Sequence, residues 1–182
     1  GEIAAWRATL PEAERPLIEI GISTAFGCSI SGIVPEDQVI ALAVRLAEQG
    51  ADSVGLSDGV GYGNPAQVRR LFTRLNAELG ERAGGAHFHN TRGQGLANVV
   101  AALEVGVTTF DASQGGIGGC PYSPGATGNI VTEDLVWMLE AMGLETGIDL
   151  AKLADALAVQ AERHIDTPLA GRTWLQQATP VT

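Results

Sequence analysis

The sequence predicts an α/β fold made of parallel (β/α) units, the C-terminal half of a TIM barrel. Three observations predict it. Short apolar runs and amphipathic helical patterns alternate four times from residue 17 onward, which implies parallel strands joined by crossover helices. Residues able to do chemistry fall at one place in each unit, the C-terminal end of the strand: Ser23 and Thr24, Asp58, His87 and His89, Asp111 and Ser113. In a (β/α)₈ barrel those ends form the catalytic face. The length, 182 residues, falls short of the roughly 250 that a full barrel takes. Four strands alone would leave two unpaired sheet edges. The chain is therefore expected to lack an N-terminal half or to assemble with another copy. A complete doubly wound sheet is the alternative that the length allows. Residues 1–166 form the expected partial barrel, and residues 167–182 a weakly patterned tail.

Residues 2–9 read as the end of a helix, and residues 11–16 as a connector. The apolar run at 17–24 is the first strand, followed by a polar, glycine-containing loop over 25–34. Pro35 fits a first helical position, with Glu36 and Asp37 at the positive end of the dipole. Val39, Leu42, Ala43 and Leu46 give that helix one apolar face. Residues 53–58 make the second strand. Asn64 is an N-cap with Pro65 behind it, and Val68, Leu71, Phe72, Leu75 and Leu79 mark the next helix. The third strand covers 84–89, and the loop 90–93 leads to a helix marked by Leu96, Val99, Val100 and Leu103, with Arg92 at its opening. Residues 108–112 are the fourth strand. A long glycine-rich loop ends near Ile130, and Thr132 caps a helix with Glu133 and Asp134 in its first turn. A last helix covers about 150–163.

Composition narrows the function. A net charge of −10 argues against nucleic acid and against anionic membranes as partners. No run of about 18 apolar residues is present, so no membrane helix is expected. The start, Gly1-Glu2-Ile3, has neither the basic nor the apolar region of a signal peptide. Two cysteines are too few for a disulfide scaffold, which makes a reducing cytoplasm the expected location.

The chemistry concentrates in residues 86–129. His87 and His89 are two apart on a strand, so both imidazoles point to one side. They read either as a metal pair or as two satisfied polar residues at a strand end. Asn129 closes the glycine loop after the next strand and could add a carbonyl oxygen. Nitrogen and oxygen donors without a second thiolate suit Mg²⁺ or Mn²⁺, and Zn²⁺ stays open. Cys120 follows the Gly115–Gly119 run, which leaves little to bury it. A loop thiol near a cation would be a reactive one, against the alternative of a small buried apolar residue. Asp58 is either a loop-opening cap or an acid–base group. Asp111 could orient a histidine, and Arg92 could meet an anion or stand in solvent.

These segments resemble the 3-hydroxy-3-methylglutaryl-coenzyme A lyase family, within the metal-dependent TIM-barrel lyases. The specific piece is Gly118-Gly119-Cys120-Pro121-Tyr122, followed by the run from Gly125 to Leu135 that contains Gly128-Asn129 and Thr132-Glu133-Asp134. Ala25-Phe26-Gly27-Cys28, Leu56-Ser57-Asp58 with Gly61 and Pro65, and His87-Phe88-His89-Asn90 also fit. The likeness runs from about Ile20 to Met142 and would make these units five to eight of the family barrel. It implies His87, His89 and Asn129 as ligands of Mg²⁺ or Mn²⁺, and Cys120, Asp58 and His87 as catalytic residues. It further implies an acyl-CoA substrate and a homodimer or larger assembly. The implied reaction is retro-aldol (Claisen-type) cleavage of a 3-hydroxy-3-methylglutaryl-CoA-like thioester to acetyl-CoA and a keto acid such as acetoacetate. A related aldolase or acyl-CoA synthase, or an inactive half-barrel subunit, are the alternatives. The chain departs from the pattern in three places. The family's Arg-Asp pair on the first strand has no counterpart in this chain. Gly59 follows Asp58 where threonine is usual. Asn90-Thr91-Arg92 stands where the best-known lyases have Asp-Thr-Tyr.

Overall fold

Alternation of side chains along Ser53–Asp58 sets the layout: Val54, Leu56 and Asp58 are buried, while Ser53, Gly55 and Ser57 face the other way and are half-exposed. A computed structural model describes residues 2–119, 128–162 and 169–171. Its strands are β1 (Glu19–Ile22), β2 (Ser53–Asp58), β3 (Ala83–Phe88) and β4 (Phe110–Asp111). They lie side by side in chain order, every pair parallel. The helices are α1 (Glu2–Ala8), α2 (Glu36–Glu48), α3 (Pro65–Leu79), α4 (Gly95–Leu103), α5 (Thr132–Ala141) and α6 (Leu150–Glu162). Sequential parallel strands with a helix after each are the barrel pattern, and the doubly wound order is absent among the described residues.

One face of the sheet carries the core. Val54, Leu56, Ala86 and Phe88 pack with Val39, Ile40 and Ala43 of α2, Val68, Leu71, Phe72 and Leu75 of α3, and Val99 of α4. Phe26, from the loop after β1, brings its ring 6.4 Å from Phe72 and 5.9 Å from Phe88. Such aromatic contacts add to area burial and tie a functional loop to the core. The opposite, lumen face is lined by Glu19, Gly21, Ser53, Gly55, Ser57, Gly85, His87, Thr109 and Asp111 around a cavity of about 230 Å³.

The β2–β3 pairing is irregular. Val54 pairs with Ala83, but Leu56 pairs with Ala86, so β3 holds one residue more than β2 over that interval. A one-residue shift exchanges the two faces of a strand. Continued from Ala83 without it, the alternation would turn His87 to the helices. With it, Ala86 and Phe88 enter the core and His87 faces the lumen. Glycine permits the irregularity, since a Cβ at Gly84 would stand 2.7 Å from the Gly55 nitrogen and one at Gly85 2.7 Å from the Thr109 oxygen.

Asp58 ends β2 on the helix side. It is fully buried, and its two oxygens accept from the amides of Tyr62 and Gly63, each at 2.8 Å. The side chain thus closes the loop 59–63.

Several boundaries differ from expectation for local reasons. Pro35 has ψ 127°, an extended value, so it caps α2 and Glu36 is the first helical residue. Val131 caps α5, and Thr132 is its first residue. Before α4, the Gly93 amide donates to the Asn90 carbonyl and the Gly95 amide to Asn90 Oδ1 at 3.0 Å. The chain therefore turns before the helix, and Arg92 lies on the loop instead of opening α4. The Asn64 cap is as expected, its side chain accepting from the Gln67 amide with Pro65 behind it. Among the described residues no helix is long and apolar enough to cross a membrane. Cys120 and most of the 167–182 tail lie outside the described residues.

Two outcomes test this account. Phe72→Ala should lower the unfolding free energy by about 3–5 kcal/mol in urea titration. Asp58→Ala should cost about 1–3 kcal/mol for each amide left unpaired and raise hydrogen exchange at Tyr62 and Gly63.

Candidate active site

The lumen end of β3 brings the two histidines together. His87 is on the strand and His89 just beyond it, with ring centroids 5.0 Å apart at an interplanar angle of 63°. His89 is 7% exposed, and its amide donates to the Asp58 carbonyl. The Asp111 carboxylate on β4 lies 3.0 Å from His87 Nδ1, as the expected orienting contact. The hydrogen bond to His87 is the main cause holding the Asp111 carboxyl below its usual range. An ionised carboxylate only accepts, so Nδ1 carries the proton and Nε2 is left for another partner.

Asn129 reaches the same place by strand pairing. It forms an antiparallel bridge with His89, flanked by hydrogen bonds from the Ile130 amide to the Phe88 carbonyl and from the Asn90 amide to the Gly128 carbonyl. Its Nδ2 donates to Ser113 Oγ at 2.7 Å and to the Ile117 carbonyl at 2.9 Å. Its Oδ1 is buried and has no hydrogen-bond partner among the described residues. A buried amide oxygen without a donor costs free energy unless something else meets it. Beside two imidazoles, a cation is the fitting partner. Among the described residues no three His, Cys, Asp or Glu side chains form a metal cluster. The residues that could hold a hard divalent ion are His87, His89 and, through its amide oxygen, Asn129.

The glycines of the preceding loop have a packing reason. A Cβ at Gly128 would stand 1.5 Å from the Gly116 oxygen, and one at Gly118 2.7 Å from Asn129 Nδ2. The loop can lie against Asn129 only without those side chains.

Asp58 is buried at the end of β2, and both its oxygens accept amide hydrogen bonds that hold the β2 loop. Burial pushes its carboxyl up, against the amides of Gly63 and Tyr62 and the nearby His89. Arg92 is also accounted for. Its Nη1 donates to the carbonyls of Val60 and Gly61, and its guanidinium sits 4.3 Å over the Tyr62 ring, so it joins the β2 and β3 loops. Cys28, half-buried, closes a tight turn through reciprocal backbone bonds with Gly32.

Sequence reasoning missed Glu133. It was read as a charge at the start of α5, yet it is 1% exposed. Its Oε2 accepts from the Gly115 amide at 3.0 Å, and its Oε1 has no partner among the described residues. Burial pushes its carboxyl up. The signal was its spacing: Glu133 lies three residues before the buried Val136, on one face of the helix.

The sequence and the fold match those of known proteins. Residues 11–159 match the HMGL-like family. The hydroxymethylglutaryl-CoA lyase YngG of Bacillus subtilis is 46% identical over 151 residues, 83% of this chain and 50% of that protein. The crystal structure of the Bacillus subtilis HMG-CoA lyase superimposes with a TM-score of 0.83 at 42% identity, over 94% of this chain and 55% of that one. An HMG-CoA lyase of Acinetobacter baumannii, in complex with coenzyme A and 3-methylmalate, gives a TM-score of 0.83 at 37% identity, over 93% of this chain and 55% of that one. The chain spans about half the length of the relatives it matches, and the expected partial TIM barrel is borne out. On the extent of the family match and the shared barrel, the chain belongs to the HMGL-like family.

Proposed function

We propose that the protein to which this chain belongs is a divalent-cation-dependent lyase that cleaves 3-hydroxy-3-methylglutaryl-CoA to acetyl-CoA and acetoacetate. The observation that carries this reading is the buried Oδ1 of Asn129, without a hydrogen-bond partner among the described residues, on a residue bridged to His89 of the His87–His89 pair. The substrate rests on the names of the relatives and on the coenzyme A bound to one of them. The activity proposed is that of the whole protein.

His87 Nε2, a nitrogen of His89 and Asn129 Oδ1 would hold Mg²⁺ or Mn²⁺. A cation bound there would supply charge stabilisation for a tertiary alkoxide and for the acyl oxygens around it. Ligand and base were both expected of His87. With Nδ1 held by Asp111, Nε2 can serve the cation or a proton, and not both. The neighbouring donors favour the cation. Asp111 therefore orients His87 and keeps its ring in the right tautomer. Asp58, whose carboxyl burial pushes up and which feels the charge of His89, takes the proton of the tertiary hydroxyl. As the bond between the carbinol carbon and the thioester α-carbon breaks, its electron pair becomes the acetyl-CoA enolate, and the alkoxide becomes the ketone of acetoacetate. Cys120 donates its thiol proton to the enolate carbon. The glycines at 115–119 allow the loop to deliver that thiol and exclude water. By the same family reading we infer a homodimer or larger assembly, and from the two cysteines a cytoplasmic location.

The protein incubated with 3-hydroxy-3-methylglutaryl-CoA and Mg²⁺ should release acetyl-CoA, followed by coupled assay. EDTA should abolish release, and Mn²⁺ should restore it. No release with either metal would overturn the lyase reading; release only from another 3-hydroxyacyl-CoA would overturn the substrate and keep the chemistry. Cys120→Ala should lower kcat by about 10²–10⁴-fold, the size of a lost acid–base step, with Mn²⁺ affinity unchanged.

A further inference from the structure

We propose that Ser113 is a positioning residue: its hydroxyl tethers the Asn129 carboxamide, whose orientation the Ile117 carbonyl selects, so that the oxygen end is left for a cation. The inference rests on the metal reading above and concerns Ser113 and Ile117, which that reading does not use.

A carboxamide has two donors on Nδ2 and an acceptor at Oδ1, and a half-turn about its last bond exchanges them. Nothing in Asn129 itself selects one orientation. The surroundings do. Both Nδ2 hydrogens have acceptors, Ser113 Oγ at 2.7 Å and the Ile117 carbonyl at 2.9 Å. The Ile117 oxygen can only accept, so a turned amide would set Oδ1 against it and lose that bond, while the Ser113 hydroxyl can accept from Nδ2 or donate to Oδ1. The turned amide would also aim N–H groups where the cation would be, a repulsive arrangement. The observed orientation leaves Oδ1 buried and without a hydrogen-bond partner among the described residues.

Ser113 is itself held in place. Its amide donates to the Ile130 carbonyl, its carbonyl accepts from the Thr132 amide, and it bridges Val131 in parallel. The segment after β4 is thereby stitched to residues 130–132, next to Asn129. Gly118, at φ +111°, presents a bare backbone to Nδ2, where a Cβ would intrude at 2.7 Å. The Ile117 carbonyl therefore selects one orientation of the amide, and the Ser113 hydroxyl, on a fixed backbone beside the bare Gly118, holds it there. They also account for an amide in place of a carboxylate here. An aspartate would point its second oxygen at the Ile117 carbonyl with no proton between them.

The test is Mn²⁺ titration of the whole protein, with free Mn²⁺ read by electron paramagnetic resonance. Ser113→Ala should weaken Mn²⁺ binding by about 10- to 100-fold, the usual size of losing a group that orients a ligand. Saturating Mn²⁺ should return kcat close to the wild-type value, a split that a general loss of structure would not give. Asn129→Asp should bind Mn²⁺ more weakly than wild type despite its added charge. If Ser113→Ala fails to fold by circular dichroism, Ser113→Cys, whose thiol is a weak acceptor, carries the same expectation. Wild-type affinity in the Ser113 variant, with binding lost in His89→Ala, would overturn the role of Ser113 and leave the metal reading intact. Absence of Mn²⁺ binding by the wild type would overturn both. Tighter binding by Asn129→Asp would overturn the orientation argument.

Discussion

The site depends on a shift of one residue in the pairing of β2 with β3. Between Val54 and Leu56 the partner strand advances from Ala83 to Ala86. Side chains alternate with period two, so one extra residue exchanges the faces of everything that follows. Ala86 and Phe88 gain the core, and His87 gains the lumen, where Asp111 of β4 can reach it. The helix face of β3 is then satisfied by apolar contacts, and the lumen face is free for chemistry. Gly84 and Gly85 are the local condition for this, since a Cβ at Gly84 would meet the backbone of β2 and one at Gly85 the Thr109 carbonyl just before β4. Glycine within a strand ordinarily weakens it. Here its smallness lets three strands approach at the irregular point.

A second pairing completes the arrangement. The chain leaves β4, passes through the glycine loop and returns as residues 128–130 beside 88–90, antiparallel to β3. An amide far along the chain is thus delivered to the histidines by backbone hydrogen bonds, which are directional and set position to fractions of an ångström. Side-chain packing alone would hold it less firmly. Glu133 accepting from the Gly115 amide fixes the other end of the same loop to α5. The loop is anchored on both sides of the segment that carries Cys120.

Much of this was legible in the sequence, and what was not has physical causes. The alternation at 53–58 and the apolar spacing of Val68, Leu71, Phe72 and Leu75 are local patterns, and they appear as a strand and a helix with the expected faces. The Asn64-Pro65 start of α3 is equally local. The register shift in β3 is not, because it is a relation between two strands and shows in the chain only as two adjacent glycines. Reading residues 84–89 as a regular strand still set His87 and His89 on one side, because they lie beyond the irregular point. The surroundings of Asp58 were hidden for a related reason: parity within β2 groups it with Val54 and Leu56, and only the pairing of β2 with its neighbours shows which side is the lumen. Thr108 and Thr109 suit a strand by propensity, yet β4 keeps only Phe110 and Asp111. Strand propensity reports fit to neighbours more than intrinsic preference, and β4 has a ladder partner on one side only among the described residues.

The two faces of the sheet also divide stability from chemistry. Phe72, Phe88, Leu56, Leu71 and Leu75 are fully buried on the helix side, and apolar burial is the dominant favourable term in folding. The lumen side offers Gly21, Gly55, Gly85, Ser53 and Ser57 around an open space. Small side chains there bury little apolar area and contribute little to folding. They leave room and hydrogen-bonding groups instead. A polar group facing that space need not find its partner within the fold, because a ligand or water can supply it. The Asn129 amide, on a residue bridged to His89, is divided in the same way: its nitrogen end is satisfied by the protein, and its buried oxygen end has no hydrogen-bond partner among the described residues.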